Sequence, residues 1–347
     1  MRVAAILGLG CSDRNLRPFQ DTASSTSAVD WRIGMPSTTD QADVILLFGG
    51  DGTIHRHLGQ LTHLGLPVLI VPAGSGNDFA HALGLHRPKD CLAAWRCFCV
   101  DQKNVRTIDL GVIAPLESGS RSPESGSRFF CCAAGVGLDG EIARRANDLP
   151  RWLRGRGGYA LSLVPSLVRF AAFRAKIYAS AGSRYESGEQ SWQLRSDQPT
   201  MLAVFANTPV YGGGMRVAPH ARMDDGQLDV CLVTDIDKFK LFCLFPTVYF
   251  GRHLSVREVK YFQSANLRIE TETPLAVYAD GEYVCSTPVD VGLRPRALRV
   301  IVDPSQTSFS VPVSGALIDG SSSPKALKWG SPGNRKSETG NPASFRC

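Results

Sequence analysis

Gly49-Gly50-Asp51-Gly52-Thr53 follows directly on the apolar run Val44 to Phe48, and a second glycine loop, Gly74-Ser75-Gly76-Asn77-Asp78, follows the next such run, Val68 to Val71. Glycines without Cβ let main-chain N–H groups approach phosphate oxygens, and a helix starting after each loop adds its positive dipole end. Two such loops facing one crevice suit a phosphate-bearing ligand, a nucleotide first of all. The Asp51 carboxylate would repel a phosphate unless it holds Mg²⁺ directly or through water, and Thr53 adds a hydroxyl nearby. Asn77 or Asp78 also fits as the cap of a helix beginning at Phe79. Further along, Asp280-Gly281-Glu282 places two carboxylates one residue apart; on a strand they would point to one side, and the alternative is a plain hairpin turn. Asp225-Gly226 reads by itself as a type I′ turn before the next strand. Asp139 reads by itself as a helix N-terminal charge.

Around these residues the chain changes texture. Up to about residue 106, strand-like runs alternate with helix-like ones, including a helix with Ile54, Leu58, Leu61 and Leu64 on one face; the first strand is Val3 to Leu7, and residues 11 to 41 are weakly patterned. Alternation with glycine-rich loops after the strands predicts a parallel sheet flanked by helices, with ligands at the carboxyl ends of the strands. From about 107, short runs rich in Val, Ile, Tyr and Phe predict an antiparallel sandwich or barrel. They include Phe129 to Ala134, Met201 to Ala206, Gln227 to Val233, Ala276 to Tyr278 and Leu298 to Val302. Helical inserts are expected near Asp139 to Asn147, Gly158 to Phe170 and Lys238 to Leu254. The expected division is therefore an α/β domain over 1–106, a mainly-β domain over 107–312, and a Ser/Gly/Pro/Lys-dense disordered tail over 313–347. The repeated Glu-Ser-Gly-Ser-Arg at 117 and 124 reads as a solvated hairpin tip.

Composition narrows the function. A net charge of +6 without a basic recognition helix favours polyanionic ligands or an anionic membrane face and gives no nucleic-acid signature. The ten cysteines sit mostly in apolar runs without zinc-ribbon spacing, so they read as buried, reduced thiols. The N-terminal apolar stretch is too short for a secretory segment, and no run reaches the about 20 residues a membrane span takes. A cytoplasmic protein with peripheral membrane contact is expected. The segment Phe239 to Phe250, flanked by Lys238, Lys240 and Arg252, reads either as a lipid-portal flap or membrane-docking face or as a core helix, with Pro246 against one straight helix.

The two glycine motifs occur in order with Gly135-Val136-Gly137-Leu138-Asp139, Asn207-Thr208-Pro209-Val210-Tyr211-Gly212-Gly213-Gly214-Met215, Asp224-Asp225-Gly226-Gln227-Leu228-Asp229 and Ala279-Asp280-Gly281-Glu282. Together they resemble the diacylglycerol kinase catalytic family of bacterial lipid kinases, which includes sphingosine and ceramide kinases, over about residues 40 to 302. The resemblance implies an α/β nucleotide domain and a β-sandwich enclosing a cleft, with the γ-phosphate of ATP passing to a lipid hydroxyl. It implies that Gly49, Gly50, Asp51, Gly52, Thr53, Ile54, His55 and Ser75 contact ATP with Asn77 beside them, and that Glu282 accepts the hydroxyl proton with Asp280 adjacent. It implies a structural Mg²⁺ held by Asp225 and the main chain of Arg222 and Gln227, and Asp139 among the acids facing a catalytic metal. Two other functions are carried with it: a kinase of NAD or another soluble alcohol, and a silent nucleotide- or lipid-binding module. The chain departs from the family pattern at Gly8-Leu9-Gly10-Cys11-Ser12, where relatives carry an Asn-Pro loop, and at His55-Arg56, where they carry Asn-Glu.

Overall fold

A computed structural model describes residues 1–24, 28–116, 127–148, 165–166, 170–180 and 191–305, all within a unit spanning Met1–Ser308. Residues 117–126 of the duplicated polar segment, the tail and all but three residues of the insert expected over 158–170 fall outside the described residues.

The first strand, β1 (Arg2–Leu7), leads through α1 (Asp13–Ser24) to β2 (Asp30–Ile33), β3 (Val44–Gly49), α2 (Asp51–Leu64) and β4 (Val68–Pro72). These four strands pair in parallel in the order β2-β1-β3-β4, with Leu46 opposite Ala5 on one side and Leu69 on the other. β3 is buried along its whole length, which is why it reads as an unbroken apolar run. α2 turns Ile54, Leu58, Leu61 and Leu64 into the core and ends at Gly65, whose N–H donates to Leu61. Each such side chain contributes about 1.5–3 kcal/mol on burial. Then come α3 (Asp78–Ala82) and α4 (Pro88–Asp101), the latter tied to α1 by the Trp95 indole N–H donating to Phe19 O at 3.0 Å.

The antiparallel part comprises β5 (Val105–Pro115), β6 (Arg128–Phe130), β7 (Ala133–Gly137), α5 (Leu138–Asp148), β8 (Phe173–Ser180), β9 (Gln193–Ala206) and β10 (Leu228–Thr234). It continues with α6 (Lys238–Val248), β11 (Val259–Ser264), β12 (Asn266–Thr271), β13 (Ala276–Ala279), β14 (Glu282–Ser286) and β15 (Val289–Ile301). The architecture is that expected: a parallel α/β layer and a mainly antiparallel β layer with helical inserts. Two details differ from the sequence reading. The run Phe129 to Ala134 breaks at Cys131-Cys132 into β6 and β7, because those two residues leave the ladder and turn their N–H groups toward Asp280. β15, at 13 residues, is more than twice as long as the apolar run Leu298 to Val302 that announced it. Its first half pairs with β12, its second half brings Val300 beside Val68 of β4, and β5 follows it along both.

The two layers are thus joined through the β5–β15 ladder, which is interrupted between Arg294 and Leu298. Asp109 stabilises the interruption. Its buried carboxylate accepts the Arg296 N–H at 2.7 Å and the Gly226 N–H at 2.9 Å, while its own N–H donates to Met223 O at 2.7 Å. Asp109→Ala would strand two donors around a buried cavity, and we expect a loss of about 2 kcal/mol in urea unfolding. A loss below about 0.5 kcal/mol would contradict this role.

Candidate functional site

The two glycine loops meet backbone to backbone. A Cβ built on Gly50 would lie 2.8 Å from Gly74 Cα, and one built on Gly74 would lie 2.5 Å from Gly50 Cα. Both positions need glycine for close approach. Asn77 clasps its own loop, accepting from the Gly74 N–H at 2.8 Å and donating to Gly74 O at 2.7 Å. It occupies the position before α3, yet its side chain does not cap that helix. Asp51 does so instead, reaching across from the first loop to accept the N–H groups of Asp78 (3.1 Å) and Phe79 (3.2 Å). The exposed amides left for a ligand are therefore those of the loops themselves, with Ser75 exposed at the crest of the second.

Asp51 is nearly buried, and burial, followed by the charge of Asp78, pushes its carboxyl from 3.8 up to about 6. Asp280 adds to the same effect. Thr53 folds back against Gly49 and Gly8, so the loop after β1 joins the same neighbourhood. Ile54 is fully buried in the core, which leaves only its main chain for a ligand.

Asp280 and Glu282 do not lie side by side on a strand. Asp280 and Gly281 have φ of 49° and 85°, the left-handed pair of a two-residue turn joining Ala279 to Glu282, and strand alternation does not apply to them. The side chain of Asp280 turns inward. It accepts the N–H groups of Cys131 (2.9 Å), Cys132 (2.8 Å) and Ala133 (3.3 Å) and sits 3.2 Å from His55 Nδ1. Glu282 turns outward, exposed, with Oε1 3.1 Å from where a Cβ on Gly52 would stand. The hairpin thus brings Glu282 against the first glycine loop. By contrast Asp225-Gly226 is not a turn of this kind, since of the two only Gly226 has positive φ.

His55 was not legible as a partner of Asp280. Burial alone would push its imidazole down, but the Asp280 hydrogen bond and the charges of Asp280 and Glu282 outweigh it and hold the pKa above the usual value. Arg128 opposes them. Asp78 accepts the Gly213 N–H at 2.8 Å and Asp139 accepts the Tyr211 hydroxyl, so the Tyr211–Met215 loop links both acids to the site. The three glycines between Tyr211 and Met215 were the sequence signal for that loop.

Asp225 is raised by burial and by the charges of Asp229 and Asp109, with its Oδ1 accepting the Gln227 N–H at 3.0 Å. A carboxylate oxygen of this kind is a donor that suits a hard divalent ion. Asp51, raised by its acidic neighbours, fits the same chemistry. Asp139 is committed to Tyr211, so a direct metal bond would compete with that hydroxyl. Cys131 Sγ, Cys132 Sγ and an Asp280 oxygen lie within 4.8 Å of one another, but burial raises both thiols and main-chain donors already hold the carboxylate. Among the other cysteines, Cys91 and Cys231 are buried, whereas Cys243 is exposed, contrary to the reading that they are mostly interior.

Residues 22–113 match the model of the diacylglycerol kinase catalytic domain, and residues 132–302 match the YegS C-terminal NAD kinase beta sandwich-like domain. A diacylglycerol kinase of Mycobacterium tuberculosis is 30% identical over 259 residues, covering 75% of this chain and 76% of that protein. The chain belongs to the diacylglycerol kinase catalytic family. A putative lipid kinase YtlR of Bacillus subtilis is 26% identical over 74% of this chain and 79% of its own length. Relatives with these names make the family one of lipid kinases. In fold, the diacylglycerol kinase family member resembles a putative diacylglycerol kinase from Bacillus anthracis, with a TM-score of 0.62, 21% identity, and coverage of 88% and 98% of the two chains. It also resembles an NAD kinase from Archaeoglobus fulgidus solved in complex with ATP, with a TM-score of 0.50 at 13% identity over 88% and 96%.

One consequence of the Asp51 environment is measurable without substrate. A folded-state pKa of about 6 lies above the ordinary 3.8, so the folded protein keeps this proton to higher pH than the unfolded chain. The resulting penalty is absent below pH 3.8, grows as pH rises and is complete above about 6. Asp51→Asn removes it but leaves one helix N–H of α3 less well paired. In the chelator-treated protein near neutral pH we expect the variant to unfold about 1–2 kcal/mol later in urea, with the gap closing toward acid. A variant less stable than the parent near neutral pH would contradict the assignment.

Proposed function

We propose that this protein is an ATP- and Mg²⁺-dependent kinase that passes the γ-phosphate of ATP to a hydroxyl of a lipid, with diacylglycerol or a sphingoid base as the acceptor class. The observation that carries the reading is the position of Glu282: an open carboxylate anchored on a tight hairpin and aimed at the glycine loop that suits a triphosphate.

In this reading the N–H groups of Gly50, Asp51 and Gly52 and of Ser75 and Gly76 hold the phosphates, and Gly50 and Gly74 set the spacing of the two loops. Glu282 takes the proton from the acceptor hydroxyl as its oxygen forms a bond to the γ-phosphorus. The bond from that phosphorus to the β,γ-bridging oxygen breaks, and the electron pair leaves with ADP. Asp280 touches neither reactant; it fixes the hairpin through the amides of residues 131–133 and, 3.2 Å from His55 Nδ1, raises the pKa of that imidazole. A divalent ion bound near Asp51 would neutralise phosphate charge, and Asp225 with the main chain of Arg222 and Gln227 would hold a second, structural one. The lipid acceptor rests on the names of the relatives and on the length of the match, which runs through both layers. The likeness to an NAD kinase is one of fold. Peripheral association with an anionic inner membrane surface belongs to the same proposal; no helix among the described residues is long and apolar enough to cross a membrane.

Two measurements test it. Labelled ATP offered with diacylglycerols, sphingoid bases and NAD should label a lipid in preference to NAD; a folded, ATP-binding protein that labels no lipid would overturn the acceptor assignment. Glu282→Gln should lower turnover at least about 100-fold while leaving ATP affinity within about twofold. Turnover near the parent value would remove Glu282 from the chemistry.

A further inference from the structure

α6 is apolar on two opposite sides. Asp237 caps it, accepting the Phe239 and Lys240 N–H groups at 3.0 Å each. Leu241, Leu244, Phe245 and Val248 form the inner side, and Leu241 and Phe245 pack on Leu138 and Ile142 of α5. Phe239, Phe242, Cys243 and Pro246 recur at i, i+3, i+4 and i+7 on the outer side, and Phe250 continues the stripe at i+11 just past the helix end. Phe239 and Phe250 are each 75% exposed and Phe242 is 47% exposed. A helix that only closes a core carries polar residues outward, so the outer stripe is unexplained by folding.

The geometry points to this stripe as a membrane-docking surface that inserts its three phenylalanines at the headgroup boundary of an anionic bilayer. Charge around it agrees. Of the three acids between 235 and 258, Asp237 caps the helix and Glu258 holds Lys240 at 2.7 Å. Lys238 directly precedes Phe239 and Arg252 follows Phe250 by two residues, both exposed, as is Arg257, and the whole chain carries +6. Aromatic side chains at the surface with a basic rim are the composition that binds acidic lipid interfaces. Position agrees as well: the inner side of the helix rests on α5, whose second residue is Asp139 of the site. A bilayer met by the outer side would present its lipids at the flank of the cleft. The docking role rests on the lipid-acceptor reading for its purpose but is measured separately from it.

The test uses the full chain and a Phe239→Ser/Phe242→Ser/Phe250→Ser variant, whose changes are at exposed positions and whose thermal unfolding should match the parent. The parent should sediment with phosphatidylglycerol vesicles more than with phosphatidylcholine vesicles, and the variant should bind the former at least about tenfold more weakly. Phosphorylation of a long-chain acceptor embedded in vesicles should fall in step, while phosphorylation of a short-chain, water-soluble acceptor stays at the parent rate. Equal vesicle binding by parent and variant, or none by the parent, overturns the proposal. So does a concentration-dependent dimer of the parent that the variant abolishes while vesicle binding is unchanged, since a second copy would then own the surface. Vesicle binding lost in the variant, with no acceptor phosphorylated by either protein, upholds docking and overturns the kinase reading alone.

Discussion

The site depends on one contact: the main chain of Gly50 against the main chain of Gly74, with Asp51 reaching over to cap α3. A side chain at either glycine would part the loops, and the carboxylate that joins them is held at an energetic penalty. Burial beside Asp78 and Asp280 disfavours its charge in the ligand-free protein. A divalent cation would turn that penalty into binding energy. Strain of this kind is expected where stability yields to function.

The second constraint is the hairpin between β13 and β14. Two consecutive left-handed residues make the turn, and three main-chain donors from residues 131–133 fix Asp280 inside it. Glu282 inherits its position from that anchoring rather than from packing of its own. The contact of His55 with Asp280 ties α2 to the same hairpin. Burial lowers the imidazole's pKa, but that contact and the charges of Asp280 and Glu282 outweigh it and raise the pKa above the usual value.

Much of this was legible in the sequence. The all-apolar β3, the helical face of α2 and the glycines after both strands follow from periodicity and from what main chain near phosphate requires. Membership of the family was legible from six motifs in order. What escaped has physical causes. α1 buries Leu16, Phe19 and Ala23 at helical spacing, but the apolar residues are few and Pro18 stands among them, while β2 sits at a sheet edge with mostly exposed side chains and carries no alternation. The first half of β15 carries Gly292 and Pro295 and does not read as a strand, yet β5 and β12 hold it on both sides. Of the two readings of Asp280-Gly281-Glu282 the hairpin turn holds, and strand alternation does not run through it. Only tertiary partners distinguish its buried carboxylate from the open one of Glu282. Similarly, the apolar residues of α6 look alike in sequence, and only packing on α5 separates the inner set from the outer.

The central claim is that a triphosphate lies across the touching glycine loops with its terminal group toward Glu282. A crystal structure with a non-hydrolysable ATP analogue and Mg²⁺ tests it most directly. The account predicts phosphate oxygens on the amides of Gly50 to Gly52 and of Ser75 and Gly76, a divalent ion near Asp51, and the γ-phosphate as the group nearest Glu282. A nucleotide bound elsewhere, or one that points its γ-phosphate away from Glu282, would contradict it.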